Sequence, residues 1–313
     1  MASVRSKICD FSDELTVKNL LYRDFFESFT GMQFQSDVGD GDLTSELIFK
    51  DAQNAKTEIV ARESGIVAGM EEVECGCSGR LKCEILKKDG VTVKKNDVIC
   101  RLSGELKLIL RMERTLLNFI GRMSGVATHT ARIVDKVKRI APGVEVACTR
   151  KTLWGLLDKK ACAVGGGCTH RLSLSDAILI KDNHLDALNR NVTLAISSCL
   201  TVSESKVRFI EIEVENFKEA MAAVRVFKKY QDEKKITVPC LVMLDNLSPD
   251  AAKLINEELK KRDLRKCIYL EVSGGINEKN MVAYAKTGAD IVSMGCLTKD
   301  ERSLDVSLEV KFQ

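Results

Sequence analysis

Five cationic or imidazole side chains, Arg150, Lys151, His170, Arg171 and Lys181, fall within one stretch of the chain. The run VEVAC reads as a short β-strand that stops at Thr149-Arg150-Lys151, and AILI as another that stops at Lys181. Between them lies Gly165-Gly166-Gly167-Cys168-Thr169-His170-Arg171. Cations gathered at one edge of a sheet repel each other, which is poor for stability and useful for holding an anion. Carboxylates occupy the same kind of position further on: Glu213 closes RFIEIEV and Asp245 closes CLVML. Glu211 and Glu215 alternate with Glu213 and share its face, so spacing leaves the choice among the three open. A pair of carboxylates there suits acid–base work, magnesium ligation beside a diphosphate, or hydrogen bonds from ribose hydroxyls. The nearby cations hold them ionised and count against an unassisted acid–base dyad. Ser273-Gly274-Gly275 and Ser293-Met294-Gly295, which close the last two apolar runs, can turn successive backbone N–H groups toward phosphate.

These residues share a positional rule. The runs VEVAC, AILI, RFIEIEV, CLVML, IYLEV and DIVSM recur at intervals close to the roughly 30 residues of a βαβ unit, with helix-like stretches between them. Ser248-Pro249-Asp250 offers a capping serine with proline in the first turn. The pattern predicts a parallel, helix-wrapped sheet, an α/β barrel or an open α/β sheet, and barrel enzymes keep their chemistry at the carboxyl ends of the strands. The first half differs: residues 49–110 read as short β-like pieces, including GMEEVE, in a smaller sheet domain. A helical amino terminus precedes it, ending near Gly31, and one or two helices follow from Arg114 to Ile140. Asp37 to Thr44 reads as a capped turn, for it lacks the spacing of an EF-hand.

Composition narrows the class. The chain has 313 residues, 45% hydrophobic and 30% charged, with a formal net charge of +3, so bulk electrostatics give no reason to expect nucleic acid. No apolar run approaches the ~18 residues that would span a bilayer, and the amino terminus lacks a signal-peptide pattern, which points to a cytoplasmic protein. The twelve cysteines lack structural-zinc spacing and read as reduced, mostly buried thiols, Cys168 included. His129 and His184 are expected to be structural.

Read together, GDGDLTSELIF, ARESGIVAGM, ERTLLNFIGRMSGVAT, TRKT, GGGCTHRLSLSDAILIKDNHL, EIEVEN, MLDN, EVSGGI, DIVSMGCLT and SLDVSLEV resemble the quinolinate phosphoribosyltransferase family over nearly the whole chain. Leu153-Trp154 stands where the family usually has Thr-Pro. The resemblance implies an amino-terminal α/β sandwich over residues 1–122, joined by a carboxyl-terminal strand at 303–313, and an incomplete seven-stranded α/β barrel over 123–302. It implies transfer of phosphoribosyl from phosphoribosyl pyrophosphate to quinolinate with decarboxylation, giving nicotinate mononucleotide, pyrophosphate and CO₂. By the same resemblance Arg150, His170, Arg171 and Lys181 hold the two quinolinate carboxylates. Arg114 is supplied across a homodimer, and dimers can assemble further into hexamers. Lys151, Glu213 and Asp245 match the phosphoribosyl side, Glu213 and Asp245 binding Mg²⁺ directly or indirectly. Ser273, Gly274, Gly275, Ser293 and Gly295 match its phosphate cradle. Lys151, Lys181, Glu213 and Asp245 are the expected catalytic group.

Other readings of the same residues are a phosphoribosyltransferase for another aromatic acid, a carrier, and an inactive scaffold that binds through the cationic mouth. The carrier reading leans on GVTVKKNDVICRLSG, which lacks the exposed lysine tip of a biotinyl or lipoyl domain.

Overall fold

The computed structural model describes residues 8–201 and 207–311. They pack as two units. Residues 12–131, 153–166 and 300–311 form one, and residues 8–11, 132–152 and 167–299 the other.

The first unit carries helices α1 (Leu20–Val38), α2 (Leu43–Ile48), α3 (Met70–Cys77), most of α4 (Leu106–Ile140) and α5 (Leu156–Val164), and strands β1 (Asn54–Ala61), β2 (Gly65–Ile66), β3 (Lys82–Ile85), β4 (Thr92–Val93) and β5 (Val98–Glu105). An antiparallel sheet runs in the order carboxyl-terminal strand (Val306–Lys311), β1, β5, β3. Ile59 pairs with Leu308 on one side and Cys100 on the other. Against this sheet α4 lays Ile109, Met112, Leu116, Leu117 and Ile120, a stripe at helical spacing that is buried with Ile59, Ile99 and Leu102. The stretch from Arg114 to Ile140 belongs to this one continuous helix.

Helix α1 does not stop near Gly31 but runs on to Val38, where Gly39 ends it with φ 55°. A mid-helix glycine costs only about 1 kcal/mol, and Phe26 and Phe34 keep α1 against its neighbours. GMEEVE is not a β-like piece: Met70–Cys77 is helix α3, with Met70, Val73 and Cys77 buried on one face. Asp42 does cap a turn, its carboxylate accepting the Ser45 N–H at the start of α2 (3.1 Å).

Helix α5 is fixed to this unit by charge. Arg122 on α4 donates twice to Asp158 (both 2.9 Å), and Asp158 also accepts the backbone N–H groups of Leu153 and Trp154. Gly165 ends the helix where a Cβ would come within 2.3 Å of the Ala127 carbonyl, so the first glycine of the Gly-Gly-Gly run serves close helix packing.

The second unit is built on six parallel strands: β6 (Glu145–Cys148), β7 (Ile178–Ile180), β8 (Ile210–Val214), β9 (Cys240–Asp245), β10 (Tyr269–Ser273) and β11 (Ile291–Met294). Their order is β6, β11, β10, β9, β8, β7. Beyond β6, Cys168 forms a one-residue parallel bridge to Ala147. The series is therefore six strands and a bridge, and among the described residues no ladder joins Cys168 to β7, so the barrel is incomplete. The connections carry α6 (Asp182–Ala187), α7 (Val192–Ser198), α8 (Phe217–Asp232), α9 (Pro249–Lys261), α10 (Met281–Ala285) and α11 (Cys296–Lys299). Ser248 caps α9 through its hydroxyl with Pro249 following, as the sequence predicts.

Register decides which side chains face inward. Glu211 is level with Leu241, Glu213 with Met243, Met243 with Glu271 and Asp245 with Ser273. Because facing residues of paired strands point the same way, all of these share the face that buries Leu241, Ile291, Ala147 and Phe209. Ile8, Cys9 and Phe11 join the same cluster. Nothing in their sequence announces that role.

Candidate active site

The carboxyl ends of the barrel strands hold most of the residues expected there. Arg150 and Lys151 follow β6 and are exposed, Lys181 follows β7, Glu213 lies in β8, Asp245 ends β9 and Ser273 ends β10. Lys181 reaches across the strand ends to Glu213, Nζ to Oε2 at 3.0 Å, with the lysine half exposed and the carboxylate buried. His184 caps α6, its Nδ1 accepting the Lys181 N–H (2.9 Å), which orients the segment that starts at Lys181.

Charge is balanced within this mouth. Burial raises the Asp245 carboxyl above its ordinary range, and Lys181 and Lys151 oppose that rise. Burial likewise lifts Glu213, against the pull of Lys181. Arg171 is lowered, first by burial and then by the neighbouring charge of Arg150. These are the effects expected when like-charged groups are gathered in a half-buried cleft before a ligand of opposite charge arrives.

The glycine loops border the same end. Gly274 has φ 90° and lies so close to Asn246 that a Cβ would meet its backbone nitrogen at 2.5 Å. Asn246 donates to the Ser273 carbonyl (3.0 Å) and, through its side chain, to Asp245 (2.5 Å), tying the β9 and β10 loops together. Gly275 (φ 61°) has open space around it. Lys151 passes over Gly295, 3.4 Å from where a Cβ would sit. Ser293 lies within β11 and is buried.

His170 is placed differently from the four cations. It is buried, and its Nε2 lies 3.2 Å from Glu211 and 3.3 Å from Glu271. Its Nδ1 accepts the Arg171 backbone N–H (2.8 Å), and its ring stands edge-on to Phe209. Burial alone would lower His170, but Glu271 and Glu211 outweigh it and push it up to about 10. A doubly protonated ring would lack the lone pair that Nδ1 uses for Arg171. Nδ1 is taken as an acceptor by Arg171, and Nε2 faces the two carboxylates at ion-pair distance without a hydrogen bond in line. Glu211 is itself lifted to about 7 by burial and by the charge of Glu271.

The structure thus separates the three alternating glutamates. Glu211 faces His170 and Glu213 faces Lys181, while Glu215, past the end of β8, pairs with Arg190 (3.0 Å). Glu271 carries no motif of its own in the sequence; its two-residue spacing from Ser273 on one strand is the signal that places it on the same face. Cys168 is fully buried in the barrel core. In the other unit Trp154 packs between Phe29 and Phe119, tilted to both (centroids 5.3 and 5.1 Å apart), and Arg114 is exposed on α4.

Residues 126–309 match the C-terminal domain of quinolinate phosphoribosyl transferase, and residues 42–124 match its N-terminal domain. A probable nicotinate-nucleotide pyrophosphorylase [carboxylating] of Methanocaldococcus jannaschii is 37% identical over 304 residues, covering 93% of this chain and 99% of that protein. A quinolinate phosphoribosyltransferase [decarboxylating] of Nicotiana tabacum is 31% identical over 292 residues, covering 89% of this chain and 80% of its own length. Among solved structures, the nicotinate-nucleotide pyrophosphorylase from Francisella tularensis superposes with a TM-score of 0.77 at 31% identity, covering 92% of this chain and 96% of that one. With both domains matched in order and the strand-end residues assembled as described, the chain belongs to the quinolinate phosphoribosyltransferase family.

Proposed function

We propose that this protein transfers phosphoribosyl from phosphoribosyl pyrophosphate to quinolinate and decarboxylates the product, forming nicotinate mononucleotide, pyrophosphate and CO₂ for NAD biosynthesis. The observation that carries the reading is the opposition of Arg150, Arg171 and Lys181 to Glu213 and Asp245 at the strand ends of one barrel. The cations suit the two acceptor carboxylates. The carboxylates and the glycine loops suit a phosphorylated sugar.

The acceptor side holds the pyridine ring so that its nitrogen faces C1 of the ribose. As the N–C1 bond forms and the C1–O bond to pyrophosphate breaks, positive charge develops on the sugar and negative charge on the leaving group. Glu213 and Asp245 favour the first, and Lys151 neutralises the second. Alkylation leaves the ring nitrogen cationic. The adjacent C–CO₂ bond then breaks toward the ring, the cationic nitrogen stabilises the carbanion, and a proton replaces the lost carboxylate. No covalent nucleophile is needed, and orientation supplies most of the protein's part.

Glu213 and Asp245 are hard oxygen donors on adjacent strands, and burial raises both, so a bound divalent cation would return them toward their ordinary range. They fit Mg²⁺, which when bound would screen the diphosphate. A homodimer that supplies Arg114 to its partner's site, with hexamers as a further assembly, fits the exposure of that arginine and of Leu20, Leu21 and Met32 on α1. A cytoplasmic location accords with the absence, among the described residues, of a helix long and apolar enough to cross a membrane.

The test is CO₂ release from carboxyl-labelled quinolinate. It should require quinolinate, phosphoribosyl pyrophosphate and Mg²⁺ together, and stop with chelator until Mg²⁺ is restored. Turnover of nicotinate but not quinolinate would sink the assignment.

A further inference from the structure

Glu211 and Glu271 are fully buried inside the barrel, and the reaction just described gives neither of them a task. Burying a carboxylate costs several kcal/mol unless it is well partnered, and among the described residues neither has a hydrogen-bonding side chain in line with it. Their common neighbour is His170 Nε2.

His170 is held on every side. Its backbone N–H donates to the Cys9 carbonyl (2.8 Å), its Nδ1 accepts from Arg171, and Phe209 backs the ring. Its φ of 50° lies in the left-handed region, which is uncommon for a residue with a Cβ and persists where surroundings enforce it. That turn decides where residue 171 leaves the chain. Arg171 is buried, with Nη1 3.5 Å from the Ala177 carbonyl; Arg150 repels it, while Glu211, Asp176 and Glu213 attract it through space, so no short ion pair of its own fixes the guanidinium.

We infer that Glu211 and Glu271 are positioning residues for the acceptor-binding Arg171, acting through His170. The two carboxylates hold the ring electrostatically from the Nε2 side; the ring fixes the Arg171 backbone from Nδ1; the strained turn then presents the guanidinium against the repulsion of Arg150. This rests on the reading of Arg171 as an acceptor residue. Neither glutamate touches substrate.

The experiment compares Glu271→Ala, Glu211→Ala and Glu271→Gln with the unaltered chain by steady-state kinetics, thermal melting, metal analysis and a crystal structure of Glu271→Ala. A displacement of about 1 Å at a binding group costs on the order of 100-fold. Each alanine variant should therefore raise the KM for quinolinate by roughly 10- to 100-fold while leaving the KM for phosphoribosyl pyrophosphate within about twofold. Glu271→Gln keeps the side-chain shape and a partly negative oxygen facing Nε2 and should restore part of the loss. Parallel increases in both KM values, or a lowered melting point with kinetics unchanged, would overturn the inference. So would a stoichiometric metal ion present in the unaltered chain and lost from Glu271→Ala, since the 3.2–3.3 Å separations also suit ligands around a metal. In the crystal structure Arg171 should have moved; an unmoved Arg171 refutes positioning whatever the substrate proves to be, which separates this failure from failure of the assigned reaction.

Discussion

Asp158→Ala is predicted to be among the most damaging single changes in the first unit. The carboxylate is fully buried and accepts four hydrogen bonds, two from the Arg122 guanidinium and two from the Leu153 and Trp154 backbone. Removing one partner of a buried ion pair costs about 3–5 kcal/mol because the other charge is left without compensation, and the two stranded N–H groups place this site toward the upper end. For a unit of this size each kcal/mol lowers Tm by about 2–4 °C, so a fall of roughly 6–20 °C is expected. The chain supplies its own probe. Trp154 is its single tryptophan, lies against Phe29 and Phe119, and donates its backbone N–H to Asp158 (3.0 Å). Its fluorescence should follow the unfolding of this unit directly. The double variant Arg122→Met with Asp158→Leu removes both charges and should be more stable than Asp158→Ala alone. A loss below about 1 kcal/mol for Asp158→Ala, or a double-variant loss equal to the sum of the singles, would refute the claim that the pair acts as a unit.

Other outcomes follow from the same geometry. Asp89 accepts the Met70 N–H (2.8 Å), and burial, reinforced by Glu72 and Glu71, lifts it to about 6. A carboxyl raised in the folded state contributes stability that is present below about pH 4 and lost as pH rises through about 6. Asp89→Asn should therefore gain stability near pH 8, by up to about 3 kcal/mol from a shift of roughly two pKa units, and gain little near pH 4; denaturation at the two pH values checks the sign. Gly274→Ala forces a side chain into a positive-φ turn against Asn246, at a cost of about 1–3 kcal/mol. It should weaken phosphoribosyl pyrophosphate more than quinolinate, as read from the separate KM values. If Arg114 acts across a dimer, inactive Arg114→Ala and Lys181→Ala proteins should regain activity when unfolded together and refolded as a mixture, and failure to regain any would remove the shared-site proposal.

The run of polar strand ends made most of the mouth legible, because parallel barrels force the residue after each strand to one rim. Arg150, Lys151, Lys181, Glu213, Asp245 and Ser273 all lie where that rule puts them. His170 was legible as a residue of interest but not in its surroundings. Its partners come from strands β8 and β10, 41 and 101 residues further along the chain, and no local pattern marks such a meeting. Gly31 misled for the converse reason, since local propensity is weaker than packing along a helix.

By itself the sequence determined the family, the succession of β and α elements and the chemical character of the strand ends, for these depend on residue type and spacing. Tertiary structure alone decided that Glu211 faces inward to His170 while Glu215 turns to Arg190, that Gly165 serves helix packing, and that Ile8, Cys9 and Phe11 fill the barrel core. Each of those depends on strand register and on contacts between segments far apart in the chain, where a shift of one residue would turn every side chain to the opposite face.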